Sequence, residues 1–298
     1  MKRFWASAER AQVHYCWQRS KYLQSRLQPH QRPLLLNLDE TSICLARPKT
    51  KGLISQGGAT SKIGKERSLA RLCFTYVAVI CDDSRVQPYL PQFLLGNGRW
   101  MTKKTLSTCA VAANLRVKIA KSAWNSKTSM LWMLHEIKTS LADFDVQPIL
   151  HLDCCPVHIQ KAVVQEAQRL QLPLVPVPAG LTWLLQPLDV SFFSAMKQQY
   201  RQQYNRNLAE GGMTPEAFLR IMSHIATKFT CRRSWKSSFQ QLGFLPGGTL
   251  TSELRKYFPA GQPDIVCKDV SDLELQALLP QNHKVFASWW RSKRLRLK

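Results

Sequence analysis

Three strand-like segments follow one another before the interior of the chain shows its first helical pattern, and this order constrains the fold more than any other feature. "PLLLNLD" (33–39) alternates, with Leu34, Leu36 and Leu38 on one face and Leu35, Asn37 and Asp39 on the other. "RLCFTYVAVICDD" (71–83) is a long apolar run rich in β-branched and aromatic residues. "SRVQPYLPQFLLG" (84–96) follows it through a turn at 82–85. Helical spacing then appears at 126–144, through Met130, Leu134, Ile137 and Leu141. A strand returns in "VQPILHLD" (146–153), a helix over 156–171 with Pro156 in its first turn, a short strand over 172–178 and a long helix over 190–208. Residues 97–125 are ambiguous, and everything after Asn207 reads as helical or irregular. Three consecutive strands argue against strictly alternating strand–helix units. Neither a Gly-x-Gly-x-x-Gly turn nor a Walker-type lysine loop is present. The expected fold class is α/β, a mixed sheet flanked by helices.

Charge narrows the partners. The 298 residues hold 42 Lys and Arg against 19 Asp and Glu, a net charge of +23. Such an excess points to a polyanion, most plausibly nucleic acid. Basic residues gather in a Gly-containing loop at 47–70 and in the tail "RSKRLRLK"; residues 3–28 read as a basic helix with aromatics, closed by Pro29 and Pro33. Nine scattered cysteines with no Cys-x-x-Cys pair read as reduced thiols inside a cell. The N-terminus has no apolar core of a secretory signal, and no apolar run is long enough to span a membrane.

Acids are scarce, so those at element ends stand out. Asp39 ends the first strand, Asp153 ends the strand before a helix, and Asp189 starts the long helix in "LLQPLDVSFF". Reacting groups of α/β sheets gather at the carboxyl ends of strands. Taken singly, each aspartate reads as a cap or turn acid. Converging together, three carboxylates would repel one another unless a divalent cation sits between them, and oxygen ligands suit Mg²⁺ or Mn²⁺. Two such ions can activate a hydroxyl and stabilise the leaving oxygen of a phosphodiester. Charge and acids together suggest metal-dependent phosphoryl transfer on DNA or RNA.

These segments resemble the DDE superfamily of transposases, specifically the pogo/Tigger-like group of the Tc1/mariner branch. "LLLNLDETSI" resembles the segment around that family's first aspartate, "HLDCCPVH" the second, and "LTWLLQPLDVSFFSAMK" the third, the most specific of them. The interval between Asp153 and Asp189 also agrees, and "GKERSLARLCFTYVAVICDDSRVQPYLPQFLLG" and "SWKSSFQQLGFL" resemble flanking segments. The similarity covers about residues 30–245. It implies an RNase H-like fold, with Asp39, Asp153 and Asp189 holding two Mg²⁺ (or Mn²⁺) ions and catalysing cleavage or joining of DNA strands. It also implies a nuclear or otherwise nucleic-acid-associated location, with DNA as partner and a homodimer as an open option.

"DCCPVH" departs from the family at Cys154, where Asn is usual, which leaves catalytic competence open. A zinc site needs about four well-spaced ligands, and adjacent Cys154 and Cys155 point differently, so none is expected. His158 reads equally as a support for the site or as a plain helix histidine, and Glu40, next along the strand from Asp39, is expected to point away. The family's helix-turn-helix modules find no counterpart ahead of Asp39. The chain therefore divides into a basic helix (1–29), an RNase H-like catalytic domain (30–208) and a helical region with a basic tail (209–298). A catalytic domain without its sequence reader, or a domesticated nucleic-acid-binding protein that keeps the fold without chemistry, both fit.

Overall fold

The computed structural model describes residues 7–16, 18, 31–45, 73–98, 100–120, 123–209 and 212–261. The basic loop at 47–70 and the C-terminal basic tail lie outside these residues. A helix at 7–16 (α1) precedes β1 (Arg32–Cys44), β2 (Cys73–Cys81) and β3 (Gln92–Asn97). Then come α2 (Lys103–Thr108), β4 (Leu115–Ala120), α3 (Lys127–Ser140), β5 (Val146–Leu152), α4 (Lys161–Arg169) and β6 (Leu174–Pro176). The helices α5 (Thr182–Leu185), α6 (Phe193–Ala209), α7 (Pro215–His224), α8 (Lys236–Gln241) and α9 (Ser252–Tyr257) complete the order.

The strands form one six-stranded sheet in the order β4-β3-β2-β1-β5-β6. β1, β2 and β3 are an antiparallel meander, whereas β5 runs parallel to β1, and β6 parallel to β5. This is the mixed α/β, RNase H-like arrangement. Central β1 is covered on both faces. Leu34, Leu36 and Leu38 join the core beneath α3 and α4, and Leu35 joins the larger core built with α1 and α5–α9. Each fully buried leucine contributes roughly 1.5–3 kcal/mol relative to exposure. Among the described residues no helix is long and apolar enough to cross a membrane.

Several element bounds differ from the sequence reading, for local reasons. β1 runs past Asp39 to Cys44, because residues 40–44 keep their antiparallel partners on β2. Residues 84–91 are not strand. Arg85 bonds to the Asp83 carboxylate, and the buried Gln87 amide takes up the Val79 carbonyl and the Cys81 N–H, so β3 begins only at Gln92. The ambiguous stretch supplies α2 and β4, which pairs parallel to β3 at the sheet edge. The helix after Asp153 starts at Lys161 rather than at Pro156, since residues 156–159 turn back on the Cys155 carbonyl.

α1 docks against the sheet rather than standing apart. Arg10 donates to the Ala179 carbonyl at 2.7 Å, Tyr15 to that of Leu242 at 2.7 Å, and His14 Nδ1–H to that of Pro176 at 3.2 Å. The buried His14 ring also meets His151 and Phe244 edge-on. Burial first, then the neighbouring His151, push the His14 pKa down to about 3. His14 is therefore neutral in the fold but protonates below about 6.5 once the chain unfolds. Its stabilising preference is complete above about 6.5 and is lost as pH falls from there towards 3. Urea unfolding should lose about 2 kcal/mol between pH 7 and pH 5 through this residue, and His14→Gln should show a shallower pH slope. An unchanged slope in that variant would refute the assignment.

Candidate active site

Register places the first two acids. Asn37 on β1 pairs with His151 on β5 in a parallel ladder, so Asp39 and Asp153 each lie two residues further along adjacent strands. Neighbouring strands are about 4.8 Å apart, which puts both carboxyls at the same end of the sheet. Asp39 is nearly buried, at 8% exposure, and its Oδ1 accepts the Glu40 N–H at 2.7 Å.

The third acid arrives on a π-helical turn, Leu188–Phe192, that leads into α6. Such turns widen a helix locally and recur at functional sites. Asn37 holds this turn in place. Its amide nitrogen donates to the His151 carbonyl at 3.0 Å and its amide oxygen accepts the Leu188 N–H at 2.9 Å. One buried side chain thus ties the backbone just before Asp153 to the backbone just before Asp189. Sequence alternation put Asn37 on the same face as Asp39 without assigning it a task; a polar residue in an otherwise apolar central strand was the available signal. Asn37→Ala should cost roughly 2–4 kcal/mol, because two buried backbone groups lose a partner, as read by urea unfolding; a loss below about 0.5 kcal/mol would contradict it.

The three carboxyl groups are electrically coupled. Asp39 is pushed up to about 8, first by burial and then by Asp189, with Asp153 adding to the effect and the Glu40 amide and His158 opposing it. Asp189 is exposed as a residue, yet partial enclosure of its carboxyl, followed by Asp153, raises its pKa. Hydrogen bonds from the Thr182 hydroxyl and from Asp39, together with the Lys197 charge, work in the other direction. Asp39 and Asp189 thus act on each other, and Asp153 raises the pKa of both.

Asp153 behaves differently because it has a cation. Its Oδ1 accepts the Cys155 N–H at 3.0 Å and contacts His158 Nδ1 at 2.5 Å, while His158 Nε2 lies 2.9 Å from Glu40 Oε1. Burial alone would lower the His158 pKa, but the Asp153 and Glu40 carboxylates outweigh it and push it up to about 10. The imidazolium in turn keeps Asp153 below the usual carboxylate range against burial. Of the two readings open for His158, the structure places it in the site, on the turn before α4. Glu40 does not stand apart as expected: it meets His158 and also accepts from the Asn125 amide. No sequence pattern marks a pairing between residues 40 and 158.

The two cysteines part company. Cys154 is buried, with its thiol on the Val177 carbonyl at 3.1 Å, whereas Cys155 faces Asp153 and His158, the three offering ligand atoms within 4.8 Å of one another. That is one ligand short of a structural zinc set, and both nitrogens of His158 already face carboxylates.

Sequence comparison agrees with this architecture. Residues 77–241, more than half of the chain, match the DDE superfamily endonuclease family. The chain belongs to that family. No curated protein sequence matches it. Among solved structures, the Mos1 strand transfer complex is similar at 14% identity and a TM-score of 0.48, over 80% of this chain and 58% of that one. The Mos1 mariner paired-end complex with Mg is similar at 15% identity and a TM-score of 0.46, over 80% and 60%. The catalytic domain of Mos1 mariner transposase is similar at 14% identity and a TM-score of 0.38, over 78% and 92%. This chain thus spans less than two thirds of the length of the chains in the two complexes.

Proposed function

We propose that this chain is a metal-dependent DNA strand-cleaving or strand-joining domain, with Asp39, Asp153 and Asp189 as the ligands of two Mg²⁺ or Mn²⁺ ions. The observation that carries the reading is the placement of Asp39, Asp153 and Asp189 at one end of the sheet, where burial first, and then repulsion from Asp189 and Asp153, push the Asp39 pKa up to about 8. A divalent cation relieves that repulsion, and an all-oxygen donor set suits a hard ion. When bound, such ions polarise the phosphoryl group and lower the pKa of the attacking hydroxyl or water.

The chain's own residues do the rest. Asp39 and Asp189 each feel the other's carboxyl, which places them on one side of the site. Asp153 stays ionised through His158, with Oδ1 occupied by the Cys155 amide and the imidazole, which leaves Oδ2 for a ligand. Glu40 holds the far side of the imidazole, and Asn37 fixes the spacing between the segments that carry Asp153 and Asp189. The chain's net charge of +23 serves to hold the phosphate backbone, and a pair of these chains is the assembly we favour for acting on two DNA strands. A nuclear location follows from this reading.

A second reading, a nucleic-acid-binding domain without chemistry, is favoured by Cys154, which stands where the family usually has Asn. Supercoiled plasmid incubated with the purified chain and Mn²⁺ or Mg²⁺ separates the two. Nicking that is abolished by EDTA supports the first; binding without nicking in either metal supports the second.

A further inference from the structure

Cys44 and Cys73 close the antiparallel ladder between β1 and β2. They are directly opposed in register, and their Sγ atoms lie 2.9 Å apart. Residues opposed in this way have Cα atoms about 4.5–5.5 Å apart, inside the window of about 4.4–6.8 Å that a disulfide spans. The backbone on either side is already held. The preceding pair, Ile43 and Phe74, is buried, and the Tyr204 hydroxyl of α6 donates to the carbonyl of Leu45. Access is also favourable: Cys44 is exposed and Cys73 half-buried, whereas Cys16, Cys81, Cys154 and Cys231 are buried.

We propose that Cys44 and Cys73 are an oxidation site, forming a reversible disulfide when they meet hydrogen peroxide or a small-molecule disulfide. With peroxide, the Cys44 thiolate attacks one oxygen, breaking the O–O bond to give a sulfenic acid and hydroxide. The Cys73 thiolate then attacks that sulfur, the S–S bond forms and the S–O bond breaks. The two thiols lose two electrons and two protons, and the peroxide leaves as two waters. The bridge ties together the two ends of the segment 45–72, which holds seven lysines and arginines and one acid, Glu66. Oxidation therefore acts at the two ends of a strongly basic segment, whatever the chemistry of the aspartates.

The full chain, treated with peroxide or with glutathione disulfide, would be digested and mapped by mass spectrometry without reduction. A Cys44–Cys73 cross-linked peptide is expected, lighter by two hydrogens and lost on adding dithiothreitol. The melting temperature should rise by roughly 5 °C on oxidation, because a loop of this length loses chain entropy when closed. Cys44→Ser with Cys73→Ser should abolish that rise, and Cys73→Ser alone should stop at a sulfenic acid or a glutathione adduct on Cys44. Modification of Cys44 without bridging in the unaltered chain, bridging of either residue to another cysteine, or oxidation elsewhere while this pair stays reduced would each overturn the proposal.

Discussion

Asp189→Asn should reduce Mn²⁺-dependent plasmid nicking by at least about 100-fold while leaving the melting temperature within a few degrees of the parent. Removing a partner that merely orients a metal ligand typically costs 10–100-fold, so removing a proposed ligand should cost no less. Among the three acids, Asp189 is the cleanest to change. It is exposed, and the bond that anchors its turn to Asn37 runs through the Leu188 backbone, which the substitution leaves intact. Asp153→Asn would also remove a charge from His158 and so disturb Glu40, which mixes two effects. Glu40→Gln serves as the graded control: it leaves all three aspartates in place and should reduce nicking by roughly 10-fold, through looser positioning of His158. Quantifying nicked and supercoiled bands over time checks both. Parental activity in Asp189→Asn would remove that residue from the proposed metal set.

DNA affinity should fall about 1000-fold between 50 and 200 mM salt if about six phosphates are contacted. The physical source is counterion release: each phosphate neutralised by a lysine or arginine frees condensed cations, contributing a slope of roughly 0.9 log unit of affinity per log unit of salt. A net charge of +23 makes such a count attainable on one face of the chain. Phosphate contacts position a protein without reading bases, so random-sequence duplexes suffice for the titration. Fluorescence anisotropy at four salt concentrations yields the slope directly. An affinity indifferent to salt would show that the charge serves something other than a nucleic-acid backbone.

Periodicity made much of the sheet legible. Alternation in "PLLLNLD" assigned opposite faces to Leu34/Leu36/Leu38 and to Leu35, and the two cores of the structure divide them in that way. The α3 positions Met130, Leu134 and Ile137 were equally readable, since one buried stripe at helical spacing leaves a strong local mark. Element ends were less readable. The extension of β1 to Cys44 depends on partners 29–37 residues away, and the non-strand path of 84–91 depends on where the Gln87 amide finds its hydrogen bonds.

What the sequence by itself determined is the α/β class, the strongly positive net charge and the three aspartates as candidates, because strand alternation, composition and element-end position are local properties of a chain. Only the tertiary structure decided that Glu40 and His158 meet across 118 positions, that Asn37 couples the segments bearing Asp153 and Asp189, and that Cys154 turns inward while Cys155 turns to the site. Those contacts are set by the β1–β5 register and by the packing of the π turn against the sheet, and no residue carries in its own neighbourhood the identity of a partner that register alone brings to it.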